Sequence, residues 1–425
     1  MTEILTVLPD AGDQSPERPL SARPRPALGP LTGVAAVFLC GVCAFLDLYA
    51  TQPLLPLFST IFHAGKAAVG LTVSASTLGV ALSAPLFGIF AERLSRKRVI
   101  VASIAAVAVP TFLAATAPSL HALIFWRFMQ GLLAPGIFAI TIAYVTEEWD
   151  RASVAVVMSV YVGGTALGGF IGRILAGFAA DHFGWHSAFI VLGVVTLLGA
   201  LAVARWLPHE RRPPLRPHHE HTLRSQLAPM FQHLRNPHLL ATYAVGFNVL
   251  FSLVGVFTYI TFYLSDPPFR LSTAALSYLF VVYLIGLFVT PAAGYVITRV
   301  GLLRGIVTAI AISMLGVLIT LVPSLPFVIL GLALCSTGVF ISQASATSYL
   351  REAAPEGGRV SAAGLYLSCY YIGGTAAGVV PSFFWHLGGW PACVAFIVAM
   401  QLATIGIAII GWRTRPTTHS APHSI

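Results

Sequence analysis

A single carboxylate, Asp47, stands well inside an apolar stretch of the sequence, in the run Phe45-Leu-Asp47-Leu-Tyr-Ala-Thr-Gln52-Pro. The other acidic residues lie in predicted tails, loops or helix ends. A charge at the middle of a lipid-embedded helix costs at least about 2.5 kcal/mol on insertion scales, so its presence indicates a function. A structural partnership with a buried cation is the alternative that remains open.

Two cations also lie within apolar stretches. Arg127 occurs in the run Trp126-Arg127-Phe-Met-Gln130-Gly131, roughly 7.5 Å from the middle of its predicted helix, whereas Asp47 is within about 3 Å of the middle of its own. The two charges can interact if their helices face one cavity. Burial favours the neutral carboxyl group and a nearby cation favours the carboxylate, so a pair that separates and re-forms would release and bind a proton. Asp47 and Arg127 are therefore the predicted proton-coupling residues.

Arg173 and a set of isolated amides and aromatic residues are candidates for contact with a bound molecule. The Arg173 side chain would either bind substrate or extend to the membrane interface. The amides could equally hold helices together, and aromatic residues in helices also serve packing. The predicted substrate-cavity set is Phe45, Gln52, Gln130, Phe138, Arg173, Asn248, Phe251, Tyr259 and Gln343.

These residues would be positioned by membrane-spanning helices. Of 425 residues, 57% are hydrophobic and only 9% are charged, against roughly a quarter charged in soluble proteins. A bilayer core needs about 20 apolar residues per helix. Twelve stretches qualify, so we predict an all-α polytopic membrane protein with 12 transmembrane helices. The stretches are 32–57, 67–91, 99–117, 120–146, 152–180, 187–207, 238–264, 273–298, 302–322, 325–350, 360–386 and 391–411.

The cations orient the predicted helices. The second stretch ends in Glu92-Arg93-Leu-Ser95-Arg96-Lys97-Arg98, and cytoplasmic loops are enriched in Lys and Arg. With both termini cytoplasmic, 20 of the 24 Lys and Arg residues fall on that side. We therefore predict a multi-pass protein of the cell inner membrane, and we attribute the net charge of +9 to topology and anionic headgroups rather than to nucleic-acid binding.

The sequence repeats itself in its second half. Tyr371-Ile-Gly373-Gly374-Thr375 echoes Tyr161-Val-Gly163-Gly164-Thr165, which predicts two pseudo-symmetric six-helix bundles with a site between them. Closely spaced glycines allow helices to approach, and the predicted packing residues are Gly164, Gly168, Gly172, Gly374 and Gly378. The predicted organisation is a disordered cytoplasmic tail (1–30), a first bundle (31–207), a cytoplasmic linker with an interfacial helix (208–237), a second bundle (238–412) and a cytoplasmic tail (413–425).

Three motifs resemble the major facilitator superfamily. The segment from Gly88 to Arg98 resembles the loop motif between helices 2 and 3, with Glu92 in place of the usual Asp and Ser95 in place of the usual Gly. The run Arg127-x-x-Gln130-Gly131 is similar to the helix-4 motif, and Gly164-Thr-Ala-Leu-Gly168-Gly169 resembles the helix-5 antiporter motif. Thr165 stands where drug:proton antiporters usually have Pro. The run Gln52-Pro-Leu-Leu-Pro looks most like the YnfM-type group of bacterial inner-membrane transporters.

This resemblance implies that helices 1, 4, 7 and 10 line a central cavity. It also implies a cytoplasmic gate, for which the candidates are Gly88, Glu92, Arg93, Arg96, Lys97, Glu147 and Glu148. Glu147 and Glu148 would be natural ion-pair partners for Arg93 or Arg96. Each such pair contributes less than about 1 kcal/mol if it is exposed to water, which is enough for a gate.

The expected function is proton-coupled export of small amphipathic or drug-like molecules by alternating access. The alternative is a sugar or organic-anion carrier of the same fold, with Arg127 and Arg173 as anion ligands. We do not expect an enzyme, because the sequence contains no nucleophile–base set, metal cluster or phosphate loop. No cofactor and no metal are expected. The expected partners are a small-molecule substrate, protons and the bilayer, and the expected oligomeric state is a monomer.

Overall fold

A computed structural model describes residues 31–90, 95–210, 233–355 and 358–412. These residues are helical almost throughout, and no strand occurs among them. Nine helices of this described part are long and apolar enough to cross a membrane, with α5 and α6 taken as one span. The prediction of an all-α polytopic fold is confirmed. The predicted tails, the residues Glu92 and Arg93, and most of the predicted linker lie outside the described residues.

The N-terminal half comprises eight helices, and two of its six predicted spans each contain two of them. They are α1 (Leu31–Leu46), α2 (Leu55–Ile61), α3 (Lys66–Phe90), α4 (Arg96–Ala115), α5 (Leu120–Leu133), α6 (Pro135–Glu148), α7 (Arg151–Phe183) and α8 (Trp185–Trp206). The C-terminal half comprises α9 (Pro237–Ser265), α10 (Thr273–Tyr278), α11 (Ile285–Val300), α12 (Leu302–Ile319), α13 (Leu325–Ala353), α14 (Arg359–Val379) and α15 (Pro381–Gly411).

The first predicted span is interrupted near its middle. Helix α1 ends at Leu46, residues 47–51 form turns, and a short 3₁₀ helix at Gln52–Leu54 leads into α2. Pro53 and Pro56 explain the interruption, because proline has no backbone N–H and its ring clashes with the preceding turn of an α-helix. Asp47 is therefore the first residue after a helix end rather than a mid-helix residue.

The predicted span 360–386 contains an additional helix end, and the predicted break after it is present. Helix α14 ends at Val379, and α15 begins at Pro381 and continues to Gly411. Within α15 the backbone is non-helical at Gly388 and Gly389, and the φ of 62° at Gly389 lies in the region that glycine adopts without strain. The chain thus turns at these two glycines, where the sequence predicted a break at residues 387–390.

Glycines bring the helices of each half, and the halves themselves, into close contact. A methyl group added at Gly164, Gly168 or Gly172 of α7 would overlap a backbone carbonyl oxygen of α1. Between the halves, α3 packs against α14, where a methyl group on Gly70 would overlap the carbonyl oxygen of Gly378. Backbones in direct contact are typical of helix packing in membranes, where small residues permit close approach.

Candidate functional site

The Asp47 carboxylate is buried inside the N-terminal half, with 3% of the residue exposed. Its Oδ2 accepts a hydrogen bond of 2.8 Å from the Thr196 hydroxyl of α8, and its Oδ1 lies 3.5 Å from the Thr111 hydroxyl of α4. Both neighbours belong to the same half as Asp47. The carboxylate therefore points into its own bundle, toward α4 and α8.

The Arg127 guanidinium binds backbone carbonyl groups at the interruption that follows α1. It is fully buried and donates hydrogen bonds to the carbonyl oxygens of Asp47 (2.7 Å) and Leu48 (2.5 Å). It also donates to the Thr72 carbonyl oxygen and to the Ser76 hydroxyl of α3, each at 3.1 Å. The last carbonyl groups of a helix have no partner within that helix, and a cation is favourable there. Arg127 satisfies these carbonyl groups inside the bundle, where a buried backbone group without a partner would cost free energy.

A chain of hydrogen bonds connects Arg127 to the Asp47 carboxylate without a direct ion pair. The guanidinium donates to Gln130 Oε1, Gln130 Nε2 donates to the Thr111 hydroxyl at 2.7 Å, and that hydroxyl faces Asp47 Oδ1. Among the described residues, no ion pair joins Asp47 to a basic side chain. The two groups predicted to interact are thus close, but the contact runs through the Asp47 main chain and through neutral side chains.

Arg173 lies at the boundary between the two halves. Only 2% of the residue is exposed, and its Nε and Nη2 donate to Gln52 Oε1 at 2.9 and 2.7 Å. Gln52 Nε2 in turn donates to the Thr258 hydroxyl of the C-terminal half at 3.2 Å. The guanidinium also lies 4.5 Å and 4.7 Å from the ring centroids of Phe280 and Tyr283 in the C-terminal half.

The charge of Arg173 has no carboxylate to balance it among the described residues. Its third hydrogen bond is from Nη1 to the Gly169 carbonyl oxygen at 2.6 Å, and Tyr49 adds another ring at 5.2 Å. The neutral acceptors and aromatic rings stabilise a guanidinium. They leave its net charge uncompensated in a buried position.

The remaining predicted cavity residues occupy several separate places. Phe45 contacts Phe138, whose ring stacks on Tyr371 of the other half at 6.2 Å between centroids. The side chain of Gln343 accepts from the Tyr366 hydroxyl at 2.9 Å.

The last three of the set lie inside the C-terminal half. Phe251 stacks on Phe247, the Tyr259 hydroxyl donates to the Gly378 carbonyl oxygen at 2.9 Å, and Asn248 lines a small cavity. The structure therefore joins Gln52 to Arg173 and Gln130 to Arg127, but it does not gather the whole predicted set around one space.

The predicted gate residues that the structure describes lie at the end of the N-terminal half where α1 begins, since Gly33 lies beside Trp149 and Pro208 there. Arg96 forms an ion pair with Glu147, so α4 is tied to α6 within one half. Glu210 accepts from the Ser95 hydroxyl at 3.2 Å and from the Lys97 backbone N–H at 2.7 Å, at the start of α4. A carboxylate at a helix N-terminus is favourable. Gly88 lies in the last turns of α3, and Glu148 ends α6.

Several residues that contact Asp47 or Arg173 could not be identified as site residues from the sequence. Thr111 and Thr196 are hydroxyl residues in apolar stretches, and such residues commonly bond to their own helix, as Thr111 also does with the Val107 carbonyl oxygen. Tyr49, Phe280 and Tyr283 are three of forty-seven aromatic residues. Only the fold brings them to a charged group.

Helices long and apolar enough to cross a membrane, an interrupted first helix and buried charges beside the interruption are typical of membrane transporters. The chain belongs to the Major Facilitator Superfamily, whose sequence profile matches residues 37–378. It is 32% identical to the MFS-type transporter YybF of Bacillus subtilis over 373 residues, which are 88% of this chain and 91% of that protein. It is 31% identical to the inner membrane transport protein YnfM of Escherichia coli over 388 residues, 91% of each chain.

Two further likenesses are more distant. The multi-drug resistance efflux pump PmrA of Streptococcus pneumoniae is 26% identical over 222 residues, which cover 50% of this chain and 53% of the pump. The crystal structure of the nucleoside transporter NupG superimposes with a TM-score of 0.71 at 15% identity, over 91% of this chain and 99% of NupG. At this identity the second likeness concerns the fold alone.

Proposed function

We propose that this chain is a proton-coupled secondary transporter that exports small amphipathic molecules by alternating access. The observation that carries the proposal is the buried Asp47 carboxylate, held by Thr196 and Thr111 and linked to Arg127 through Gln130. Export is supported by the helix-5 resemblance to antiporters and by the partial likeness to an efflux pump.

The position of Asp47 at the interruption after α1 supports proton coupling. Movement of α1 relative to α4 and α8 would change the hydrogen bonds from Thr111 and Thr196, both of which stabilise the carboxylate over the carboxylic acid. Arg127 holds the carbonyl groups of Asp47 and Leu48, so the same movement would alter its distance from the carboxylate. A group whose proton affinity changes with conformation couples proton movement to that conformational change.

The test is proton-driven efflux in inverted membrane vesicles that contain Asp47→Asn. The variant keeps the side-chain shape but cannot release a proton, and we expect gradient-driven transport to be lost while exchange of substrate down its own gradient persists. Ser83→Ala, which removes a different buried polar group of the N-terminal half, serves as the control. Undiminished gradient-driven transport by Asp47→Asn would remove Asp47 from the mechanism.

The second candidate function is transport of organic anions. It is favoured by Arg173, which is buried at the boundary between the halves with no carboxylate beside it among the residues that the structure describes. A substrate carboxylate or phosphate would pair with the guanidinium in a bidentate geometry. Because Gln52, Phe280 and Tyr283 now surround the guanidinium, the anion would reach it when the halves separate.

A ligand screen on purified protein distinguishes the two substrate classes. Stabilisation by lipophilic cations supports the first candidate, and stabilisation by organic carboxylates that is lost in Arg173→Gln supports the second. Arg299→Gln provides a matched control, because Arg299 lies in the last turn of α11 and is exposed.

We further propose the topology and the gate for this transporter. Both termini would face the cytoplasm, and Arg96, Lys97, Glu147 and Glu148, together with Gly88, Glu92 and Arg93, would control access from that side. The ion pair between Arg96 and Glu147 supports a role for this end of the bundle, although it fixes α4 to α6 rather than one half to the other. The transporter would act as a monomer.

A further inference from the structure

The buried guanidinium of Arg173 binds an amide oxygen through the edge that a carboxylate would use. Its Nε and Nη2 both donate to Gln52 Oε1, at 2.9 and 2.7 Å. A carboxylate accepts the same two N–H groups with one oxygen each, in a bidentate pair that its charge strengthens. Gln52 is fully buried, and no carboxylate of the described residues balances the charge of Arg173. The amide therefore occupies a place where an anionic group would bind more strongly.

Gln52 also connects the two halves of the protein. Its Oε1 accepts from Arg173 of α7, and its Nε2 donates to the Thr258 hydroxyl of α9 at 3.2 Å. An anion that takes the place of Oε1 on the guanidinium would move the Gln52 side chain and disturb its hydrogen bond to Thr258. Because a ligand shifts a conformational equilibrium toward the state that it binds better, anion binding at Arg173 would favour separation of the halves.

Aromatic rings of both halves lie beside this guanidinium. Its central carbon is 5.2 Å from the ring centroid of Tyr49 in the N-terminal half. The corresponding distances to Phe280 and Tyr283 in the C-terminal half are 4.5 and 4.7 Å. A molecule that reaches Arg173 when the halves separate would therefore pass between aromatic surfaces.

A second group of aromatic rings begins one helical turn from Arg173. Gly169 precedes Arg173 by four residues on α7, which is about 6 Å along the helix axis. A methyl group added at Gly169 would lie 3.2 Å from Arg173 Nη1 and 4.0 Å from Phe45 Cβ. The Phe45 ring is 6.3 Å from that of Phe138, which stacks on Tyr371 of the other half at 6.2 Å. The cation and these rings are thus adjacent.

We propose that the substrate bound at Arg173 is an aromatic carboxylate. Its carboxylate pairs with the guanidinium in place of Gln52, and its ring lies against Phe45, Phe138 and Tyr371. Contacts between aromatic rings stabilise more than their buried area alone accounts for, so this group of rings favours an aromatic body over an aliphatic one of similar size. The inference deepens the second candidate function and rests on it, because it requires Arg173 to bind an organic anion.

The first test compares phenylacetate, cyclohexylacetate and phenylacetamide by their effect on the unfolding temperature of the purified full chain. A ligand that binds only the native state raises this temperature in a saturable manner. We expect phenylacetate to raise it. Cyclohexylacetate, which lacks the aromatic ring, should need a several-fold higher concentration for half of its effect. Phenylacetamide, which lacks the charge, should have no effect.

The outcomes of this test separate the inference from the function on which it rests. Equal half-effect concentrations for the two carboxylates, with both effects lost in Arg173→Gln, would overturn the aromatic class and leave the organic-anion function standing. If neither carboxylate raises the unfolding temperature, both the inference and that function are wrong. Neither result bears on proton coupling at Asp47, which the vesicle experiment tests.

The second test concerns the displacement of Gln52. Gln52→Glu places a carboxylate of the chain itself beside Arg173, so the effect of phenylacetate should be lost. In Gln52→Ala the dissociation constant for phenylacetate should fall several-fold, because binding no longer requires the amide to leave. Gln401→Ala makes the same change at a buried glutamine inside the C-terminal half and should leave the constant as in the native protein. A constant that is unchanged or higher in Gln52→Ala contradicts the displacement.

The third test assigns the preference for an aromatic body to the second group of rings. Phe138→Leu keeps an apolar side chain and removes the ring, so phenylacetate and cyclohexylacetate should then bind about equally. Phe189→Leu makes the same change at a buried phenylalanine of α8 that packs against Trp185, and it should retain the native preference. A preference that persists unchanged in Phe138→Leu would show that this ring does not contact the substrate.

Discussion

The hydrogen bond from the Thr196 hydroxyl to Asp47 Oδ2, at 2.8 Å, is the shortest that the carboxylate accepts in the described structure. A hydrogen bond to a charged group contributes about 1.5–3 kcal/mol. For Thr196→Val, which keeps the shape and loses the donor, we therefore expect the rate of gradient-driven transport to fall by about tenfold or more. Thr196→Ser keeps the hydroxyl group and should transport at close to the native rate. Equal rates for Thr196→Val and the native protein would show that this hydrogen bond does not tune Asp47.

The charged members of this site could be predicted from the sequence, but their geometry could not. Asp47 and Arg127 are recognisable because charges are costly in apolar stretches. The hydrogen bonds of Arg127 to the carbonyl oxygens of Asp47 and Leu48 depend on where α1 ends. Hydropathy does not register that end, because the residues on both sides of the interruption are apolar. Pro53 and Pro56 are the local signal that marks it.

The contact between α1 and α7 positions the interruption against the rest of the N-terminal half. Gly172 faces the carbonyl oxygen of Leu46, the last residue of α1, so a methyl group there would push α7 away beside Asp47. Overpacking of this kind costs about 1–3 kcal/mol. We expect Gly172→Ala to lower the unfolding temperature and to abolish transport, measured on purified protein and in vesicles.

Gly163→Ala is the matched control for this prediction. Gly163 lies on the same helix, but its nearest neighbour for an added methyl group is a Leu287 side-chain carbon at 3.6 Å, an ordinary contact. This variant should resemble the native protein in stability and transport. Similar losses in both variants would indicate a general intolerance of α7 to substitution rather than a specific contact with α1.

The duplication in the sequence predicts two halves, but it does not predict which surfaces meet. The structure joins them through α3 and α14, where the Ser74 hydroxyl donates to the Thr375 carbonyl oxygen at 2.6 Å, and through Arg173 and Gln52. The sequence does not predict such contacts, because the contacting residues are hundreds of positions apart, 206 for Gln52 and Thr258, and the internal repeat shows which segments correspond rather than which side chains touch. Shape and glycine placement determine them instead.

Lys66 contributes to the closure of the halves at the distal face, which we define as the end of the bundle formed by residues 62–65, 116–119 and 320–324. Its ammonium group, in the N-terminal half, lies 4.8 Å from the Trp385 ring centroid and 5.1 Å from that of Phe262, both in the C-terminal half. A cation–π contact contributes about 1 kcal/mol, and such a loss changes the ratio of two conformations about fivefold. Lys66→Gln should therefore increase the population in which the halves separate at this face.

Spin labels on His121→Cys and Val322→Cys, one in each half and both at exposed positions of this end of the bundle, would report the separation by pulsed electron resonance. In Lys66→Gln we expect the distance distribution to gain a longer component. Asp181→Asn removes an exposed charge near the same face and should leave the distribution as it is. If Lys66→Gln also leaves it as it is, then Arg173, Gln52 and the contact of α3 with α14 suffice to keep the halves together. In that case opening of this face requires the contacts of the buried Arg173 to break, and the contacts of Lys66 at the surface do not limit it.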